Sequence, residues 1–323
     1  MADGDDDIFV YMGGEQEVPD GVTHAVIDPS VKTVRWRAFL NRRQLVSVIF
    51  HDGVEIIEEE AFYNCRSLPS IKLFGVREIR KGAFSGCHAL TDVEFGDMLE
   101  TIGDEAFYGC VSLRSIKSLS VRTIQLEAFG YCRQLTDVEF GVNLERVGFN
   151  SFYSCGSLRR IIIPLKGDLF TPDPIEQRYT QFHCCDNLTT VDIVGAEGMH
   201  KTISSLLLET WKDEMNEEIG RINQELQNAL ADEKTNTIQQ WIRSAITGMD
   251  YYKVEHNRLL KEHMTQLELA VWKAKLGERD DDSTQRVQTK RAKIDEKSSR
   301  EEKRITSGAD IVIKNVLPFL KLQ

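Results

Sequence analysis

The cysteines carry the most reactive chemistry in this chain, and their spacing decides which chemistry they could support. Six of the seven lie three residues after a recurring phenylalanine, and only Cys184 departs from this register. No C-x₂-C pair occurs, which disfavours zinc, and in a reducing compartment a free cysteine behaves as a small hydrophobe. The spacing favours a column of buried thiols, with disulfides and zinc as the alternatives. The six in register are Cys65, Cys87, Cys110, Cys132, Cys155 and Cys185.

Other candidate catalytic residues fail on spacing. His256 and His263 lie seven residues apart, without the pattern of a zinc-binding helix, and His183 has no partners at ligand spacing. No phosphate-binding loop, dinucleotide fingerprint or nucleophile elbow is present. Asn187 begins a glycosylation sequon, which has little weight without a secretory signal. We therefore expect no catalytic, cofactor-binding or metal-binding residues and no cofactor, and the sequence predicts a non-enzymatic protein.

The cysteines belong to a repeat that must position them. Residues 61–105 align with 106–150 without a gap, with 25 of 45 positions identical. Each unit holds two copies of A-F-x-x-C-x-x-L-x-x-[IV], and the phenylalanine recurs every 22 or 23 residues from Phe39 to Phe152. A period in the twenties is typical of a leucine-rich solenoid, whose coils stack to bury a common core. We predict a repeat solenoid of short parallel β-strands and turns over 18–195, capped at both ends, after an acidic segment, 1–17.

One outward position of the predicted strands carries alternating charge. Each strand has buried residues on either side of this position by period two. Parallel neighbours lie about 4.8 Å apart, so each lysine should have a carboxylate on both sides wherever both coils are present. The ion pairs could merely keep like charges apart along the sheet. The hypothesis of a partner-binding strip adds two aspartates beside them and comprises Lys72, Asp92, Glu94, Lys117, Asp137 and Glu139.

Two amphipathic helices are predicted after the solenoid. Apolar residues recur at spacings of three and four over 201–229 and 235–276. A short joint containing the helix-cap candidates Asp232 and Thr235 favours an antiparallel α-helical hairpin over 201–276. Its apolar stripes predict a packing seam within the chain or a coiled coil with a second copy, so a homodimer through the hairpin is one expected form.

The remaining C-terminal residues are predicted to contain little fixed structure. Residues 277–304 are polar and charged and predict a disordered linker. Its basic cluster, Lys290 to Lys293, has the composition of a nuclear import signal, although a solvated linker would also contain such a cluster. Residues 305–323 predict a short amphipathic helix.

The charge distribution limits the expected partners. Of the net charge of −11, −10 lies in residues 1–195, which argues against nucleic acid as the main ligand. No signal-peptide pattern and no apolar stretch of membrane-span length is present. We expect a cytoplasmic or nuclear protein that binds unidentified protein partners, with no small-molecule substrate and no membrane span.

The repeat motif, as it stands in residues 61–71, resembles the BspA-like (Treponema-type) leucine-rich repeat family over 18–195. The helical region that follows resembles that of the intracellular diatom members, including I-S-S-L-L-L at 203–208. The resemblance implies protein recognition and supplies no catalytic residues. Because many bacterial and protist members are secreted adhesins, two functions are expected: an intracellular interaction scaffold, or alternatively a cell-surface or secreted adhesion protein. Free thiols would favour the first, and disulfides or a glycan on Asn187 the second.

Overall fold

The structure is a computed structural model that describes residues 8–172, 180–194 and 205–285. Short parallel strands recur along the chain and two long helices follow. The chain divides into two compact units, Met1–Asn257 and Arg258–Gln323. The helices are α1 (Ser205–Asn228) and α2 (Lys234–Gln285), and the strands are β1 (Phe9–Tyr11), β2 (His24–Ile27), β3 (Thr33–Val34), β4 (Ser47–Ile49), β5 (Ile56–Ile57), β6 (Ser70–Leu73), β7 (Glu78–Ile79), β8 (Asp92–Phe95), β9 (Thr101–Ile102), β10 (Ser115–Ser118), β11 (Thr123–Ile124), β12 (Asp137–Phe140), β13 (Arg146–Val147), β14 (Arg160–Pro164) and β15 (Thr190–Val194).

Most coils contribute one strand to each of two sides of the predicted solenoid. On one side the two-residue strands form a single parallel sheet in the order β13-β11-β9-β7-β5-β3. On the other side, which we call the strand face, the pairing is interrupted twice, giving the sheets β1-β2-β4, β6-β8 and β10-β12-β14-β15. In β6, Ile71 and Leu73 are buried and Lys72 is exposed, as period two predicts. The inward residues of successive coils form one continuous core.

The repeat phenylalanines form the centre of that core. Seven buried rings, from Phe39 to Phe182, stack in one column with neighbouring centroids 4.8 to 5.6 Å apart. Tyr11 extends the column at the N-terminal end, 5.3 Å from Phe39. Phe182 completes the column, so the C-terminal cap predicted from the sequence, which we call the closing coil, takes its place in the stack.

The cysteines form a second column beside the rings. Each of the six thiols is buried and free, and each donates a hydrogen bond to the phenylalanine carbonyl of the preceding coil. Cys110 Sγ, for example, lies 3.2 Å from the carbonyl oxygen of Phe84. Burial raises the pKa of every thiol in the column, that of Cys65 to about 12. The column is therefore a stack of neutral thiols at physiological pH.

Backbone hydrogen bonds around each phenylalanine join neighbouring coils. We call the five residues centred on the phenylalanine, 60–64 in one coil, the Phe turn. The N–H groups of residues 60, 62 and 64 donate to the carbonyls of 81, 83 and 85 in the next coil, and the pattern recurs along the stack. Glu60 and Asn64 have left-handed φ angles of 54° and 64°, a region that asparagine and glycine tolerate best. Cys184 occupies the Asn64 position with φ 58°, which explains why it departs from the cysteine register.

Side chains form hydrogen bonds with backbone groups of the Phe turns at the two ends of the stack. In the first coil Arg42 replaces the cysteine, and its guanidinium donates to the carbonyls of Val18 and Leu40 at 2.8 and 2.9 Å. In the last coil the N–H of Phe182 has no following coil, and it donates to Thr235 Oγ1 of α2 at 3.1 Å. Terminal backbone groups that the repeat leaves unpaired thus receive partners from a non-consensus side chain, Arg42, and from α2.

The edges of the strand face are closed in a similar way. Gln16 accepts a hydrogen bond from the N–H of Met12 at 2.6 Å and donates one to the carbonyl of Val10 at 3.2 Å. At the opposite edge, Asn223 Oδ1 of α1 accepts from the N–H of Val191 in β15 at 2.7 Å. A carboxamide at each edge occupies backbone groups that would otherwise be open to pairing with another chain.

The helical region packs onto the closing coil. Lys234 at the start of α2 is 2% exposed, and its Nζ donates to the carbonyls of Asp186 and Leu188 at 2.6 and 2.7 Å. Burial lowers the pKa of its amine. Apolar side chains of both helices join the solenoid core and so form a packing seam within the chain: Ile222, Leu226, Ile238, Trp241 and Ile242.

The helix ends differ from the prediction mainly at the C-terminus of α2. Because α2 runs to Gln285, the prediction of disorder from Gly277 is wrong for residues 277–285. Adding residues to an existing helix is far easier than nucleating one, so polar sequence can prolong it. Residues 1–7, 286–304 and 305–323, with the basic cluster and the predicted C-terminal helix, lie outside the described residues.

Candidate functional site

The predicted partner-binding residues lie on the strand face, where they form two ion pairs; we call all six the charged strip. Lys72 faces Glu94 in the register of β6 and β8, with Nζ and Oε1 2.8 Å apart. Lys117 and Glu139 repeat this pair on β10 and β12 at 2.9 Å. All four side chains are at least one third exposed, so the pairs lie at the surface and contribute little to stability.

The strip is not the continuous ladder that the sequence predicted. Strands β8 and β10 belong to different sheets, and the ion pairs of the described residues do not join Glu94 to Lys117. The expectation that each lysine has a carboxylate on both sides is therefore wrong at this interruption, because it assumed in-register pairing of every coil with the next. The strip consists of two separate, identical pairs.

Two further carboxylates leave the strip with an excess of negative charge. Asp92 and Asp137 are exposed, and each lies opposite a serine, Ser70 and Ser115, on the preceding paired strand. Asp137 also lies opposite Arg160 of β14, whose guanidinium pairs with Asp192 at 2.6 Å. Within the described ranges neither aspartate forms an ion pair. With two lysines against four carboxylates, the strip presents net negative charge to a partner.

Apolar side chains adjoin the strip at positions that the sequence analysis missed. Phe74 and Leu119 follow β6 and β10 and are 46% and 47% exposed. A Cβ built on Gly96 would lie 1.8 Å from the carbonyl oxygen of Phe74, and one on Gly141 would lie 2.0 Å from that of Leu119. These glycines are thus required by the close approach of adjacent coils. Phe74 and Leu119 each occupy the repeat position that a glycine occupies one coil later. That pattern was the sequence signal that could have revealed this surface.

The same part of the chain offers little for other kinds of site. In the described ranges, no three or more His, Cys, Asp or Glu side chains come together as a potential metal site. Neither described helix has an apolar stretch long enough to cross a bilayer.

The stacked coils, parallel strands and inward leucines define a leucine-rich repeat solenoid. The chain belongs to the family described as the BspA type leucine rich repeat region, whose repeats match residues 20–120 and 115–205 in six copies, more than half of the chain. No curated protein matches it significantly.

Solved structures with the same repeat show limited similarity. A leucine-rich repeat protein of T. pallidum is 24% identical over 54% of this chain and 70% of its own, with a TM-score of 0.39. A leucine rich cell surface protein of Faecalibacterium prausnitzii is 22% identical, over 53% and 59%, with a TM-score of 0.30. A Bacteroides ovatus leucine-rich repeat protein is 21% identical, over 58% and 64%, with a TM-score of 0.29. The match takes in less than two thirds of the last two proteins.

Proposed function

We propose that this protein is a non-enzymatic, intracellular interaction scaffold that captures a protein segment on the charged strip. The observation that supports this function is the pair of exposed, unpaired carboxylates of Asp92 and Asp137 beside the exposed side chains of Phe74 and Leu119. Rigid repeat surfaces of this kind recognise extended partners by charge complementarity and apolar contact.

The strip selects for a partner with basic and apolar residues. Lys72 Nζ is held by Glu94 and lies 5.9 Å from the ring centroid of Phe74, so the lysines are already engaged. A lysine or arginine of the partner would meet Asp92 and Asp137, while an apolar side chain would contact Phe74 or Leu119. Exposed charges of this kind govern specificity and association rate more than total affinity.

Charge reversal on the strip tests this function. The double variant Glu94→Lys and Glu139→Lys should abolish capture of partners from native cell extract. It adds two lysines near Asp92 and Asp137, so the strip then carries four lysines against two carboxylates and repels a basic partner. The unfolding midpoint should change only modestly, since each lost ion pair is worth about 0–1 kcal/mol.

A matched control lies on the opposite sheet of the same coils. Glu100 and Glu145 pair with Arg77 and Arg122 at 3.3 and 3.1 Å and have side chains 55% and 54% exposed. Reversing these two carboxylates changes the net charge equally but leaves the strip intact, so capture should persist. If both double variants retain, or both lose, the same partners, the strip is not the recognition surface.

We further propose that the C-terminal part of α2 supplies a self-association face. Met264, Leu267 and Val271 recur at helical spacing and are 37 to 49% exposed, and Trp272 is 66% exposed. This spacing suits a coiled-coil seam with a second copy.

The oligomeric mass of the full chain tests the self-association face. Leu267→Glu with Val271→Glu should convert a dimer into a monomer in light scattering, because each charge would be buried in the seam. Gln266→Glu, off the apolar stripe, should leave the mass unchanged. A wild-type protein that is monomeric at all accessible concentrations would contradict the proposal.

A further inference from the structure

A row of aromatic side chains runs along the outside of the Phe turns in the last four coils. Tyr108, Tyr131, Tyr153 and His183 lie with successive ring centroids 5.2, 5.1 and 5.4 Å apart. The tyrosines meet edge to face, whereas Tyr153 and His183 stack with an interplanar angle of 5°. The four rings line an open groove of about 460 Å³. The charged strip lies on the strand face and does not take part in it.

The row is continuous because one coil displaces its tyrosine by one residue. Tyr108, Tyr153 and His183 each follow the repeat phenylalanine directly, where the side chain points outward. In the coil between, Gly130 takes this position and the tyrosine comes next, with a left-handed φ of 59° at Tyr131. A Cβ on Gly130 would lie 2.9 Å from Cδ2 of Tyr108, so the glycine gives the Tyr108 ring room against the backbone.

The groove combines these rings with a carboxylate. Glu127, Phe149, Asn150 and Thr180 complete its wall, and no lysine or arginine lines it. Burial, followed by the carboxylates of Glu127 and Glu105, raises the pKa of Tyr108, so its hydroxyl stays neutral at physiological pH. His183 Nδ1 is held 2.6 Å from Asp232 Oδ1, which fixes the imidazole against Tyr153. The wall is therefore aromatic and negatively charged.

We propose that this groove binds an arginine side chain of a peptide segment, with the guanidinium against a tyrosine ring and paired with Glu127. Tyrosine faces attract cations through their quadrupole. Arginine suits the site better than lysine because its planar, weakly hydrated guanidinium can stack on a ring and offer two parallel donors to one carboxylate. An anionic or neutral ligand would leave the carboxylate unpaired, and no lysine or arginine lines the groove to hold a phosphate. The guanidinium of Arg133 lies over the Tyr131 ring, 5.9 Å from its centroid, which shows that this ring already accepts a cation.

Binding of a short labelled peptide to the full chain tests the proposal. The probes are fluorescein-labelled Gly-Arg-Gly-Arg-Gly and its lysine counterpart, titrated by fluorescence anisotropy. Wild type should bind the arginine peptide more tightly. Glu127→Gln should weaken that binding about tenfold, as expected for loss of a charged hydrogen-bonding partner, and Tyr131→Leu should weaken it about threefold.

The control separates the groove from the general acidity of the solenoid. Glu100→Gln removes the same charge from a carboxylate that pairs with Arg77 and does not line the groove, so it should leave the affinity for the arginine peptide unchanged. Equal binding of both peptides, or equal losses in Glu127→Gln and Glu100→Gln, would overturn the proposal. Glu127 has a left-handed φ of 50°, and Glu127→Gln keeps its side-chain length, so the variant should fold normally. An unchanged unfolding midpoint would show that it does.

Discussion

Raising the pH from 8 to 9.5 in reducing buffer should lower the free energy of unfolding by up to about 1.4 kcal/mol per pH unit for each thiol that ionises only in the unfolded chain, and so by several kcal/mol in all. The six column thiols have folded-state pKa values raised by burial above the ordinary 9.0. The contribution of these thiols to the free energy of unfolding is therefore fully present below the unfolded-state pKa, about 9. It is lost as the pH rises toward the folded-state pKa, because the unfolded chain then releases protons that the folded chain retains. A loss of this size is comparable with the whole stability of many domains, about 5–15 kcal/mol.

The measurement is the urea midpoint as a function of pH up to 9.5, where tyrosine and lysine, with ordinary pKa values of about 10 and 10.4, are still mostly protonated. Cys110→Ser replaces one column thiol by a hydroxyl that does not ionise. The stability of this variant should therefore fall with pH about one sixth less steeply than that of the wild type. Cys184→Ser alters a half-buried thiol outside the column and should change the slope less. Identical slopes in wild type and Cys110→Ser would contradict the thiol explanation.

Trp241→Ala should destabilise the protein by about 3–5 kcal/mol, the usual result of emptying a buried aromatic site. Trp241 is 8% exposed and packs in the same buried cluster as the closing coil. Its loss should weaken the packing of α2 against the closing coil and so destabilise both. Chemical unfolding monitored by circular dichroism measures the effect.

Trp272 provides the control on the same helix. Its side chain is 66% exposed in the single chain. In the background of Leu267→Glu with Val271→Glu, which removes the proposed self-association face, Trp272→Ala should therefore change stability by no more than about 0.5 kcal/mol. If the two substitutions destabilise the protein equally, α2 does not derive its stability from the solenoid. If neither substitution lowers the stability, the packing of the helices does not stabilise the closing coil.

The repeating part of the fold could be predicted because its determinants recur. Every coil places phenylalanine, cysteine and leucine in the same contacts with the same residues of its neighbours, so a period in the sequence fixes the core, the strand register and the outward position of Lys72. The same logic placed the ion pairs of Lys72 with Glu94 and of Lys117 with Glu139. It failed between β8 and β10, where strict repetition implies a pairing that the backbone does not make.

The non-repeating contacts could not be predicted in the same way. Lys234, Asn223 and Gln16 each act once, by matching backbone groups that only the ends of the stack leave open. Nothing in their sequence neighbourhood marks such a role, since a lysine at the start of a helix usually faces water. The aromatic groove was missed because its tyrosines alternate between two repeat positions and have no single period.

The hydrogen bonds of the Phe turns also give the solenoid an axial dipole. In each turn, three peptide units direct their carbonyls toward the preceding coil and their N–H groups toward the next. Each unit carries about 3.5 D, and bonded head to tail they add as in an α-helix, whereas strand dipoles largely cancel. The positive end lies at the closing coil, the reverse of a helix with the same chain direction. The cation of Arg42 at the first coil and the carboxylate of Asp232 beside His183 at the last have the signs that this field favours.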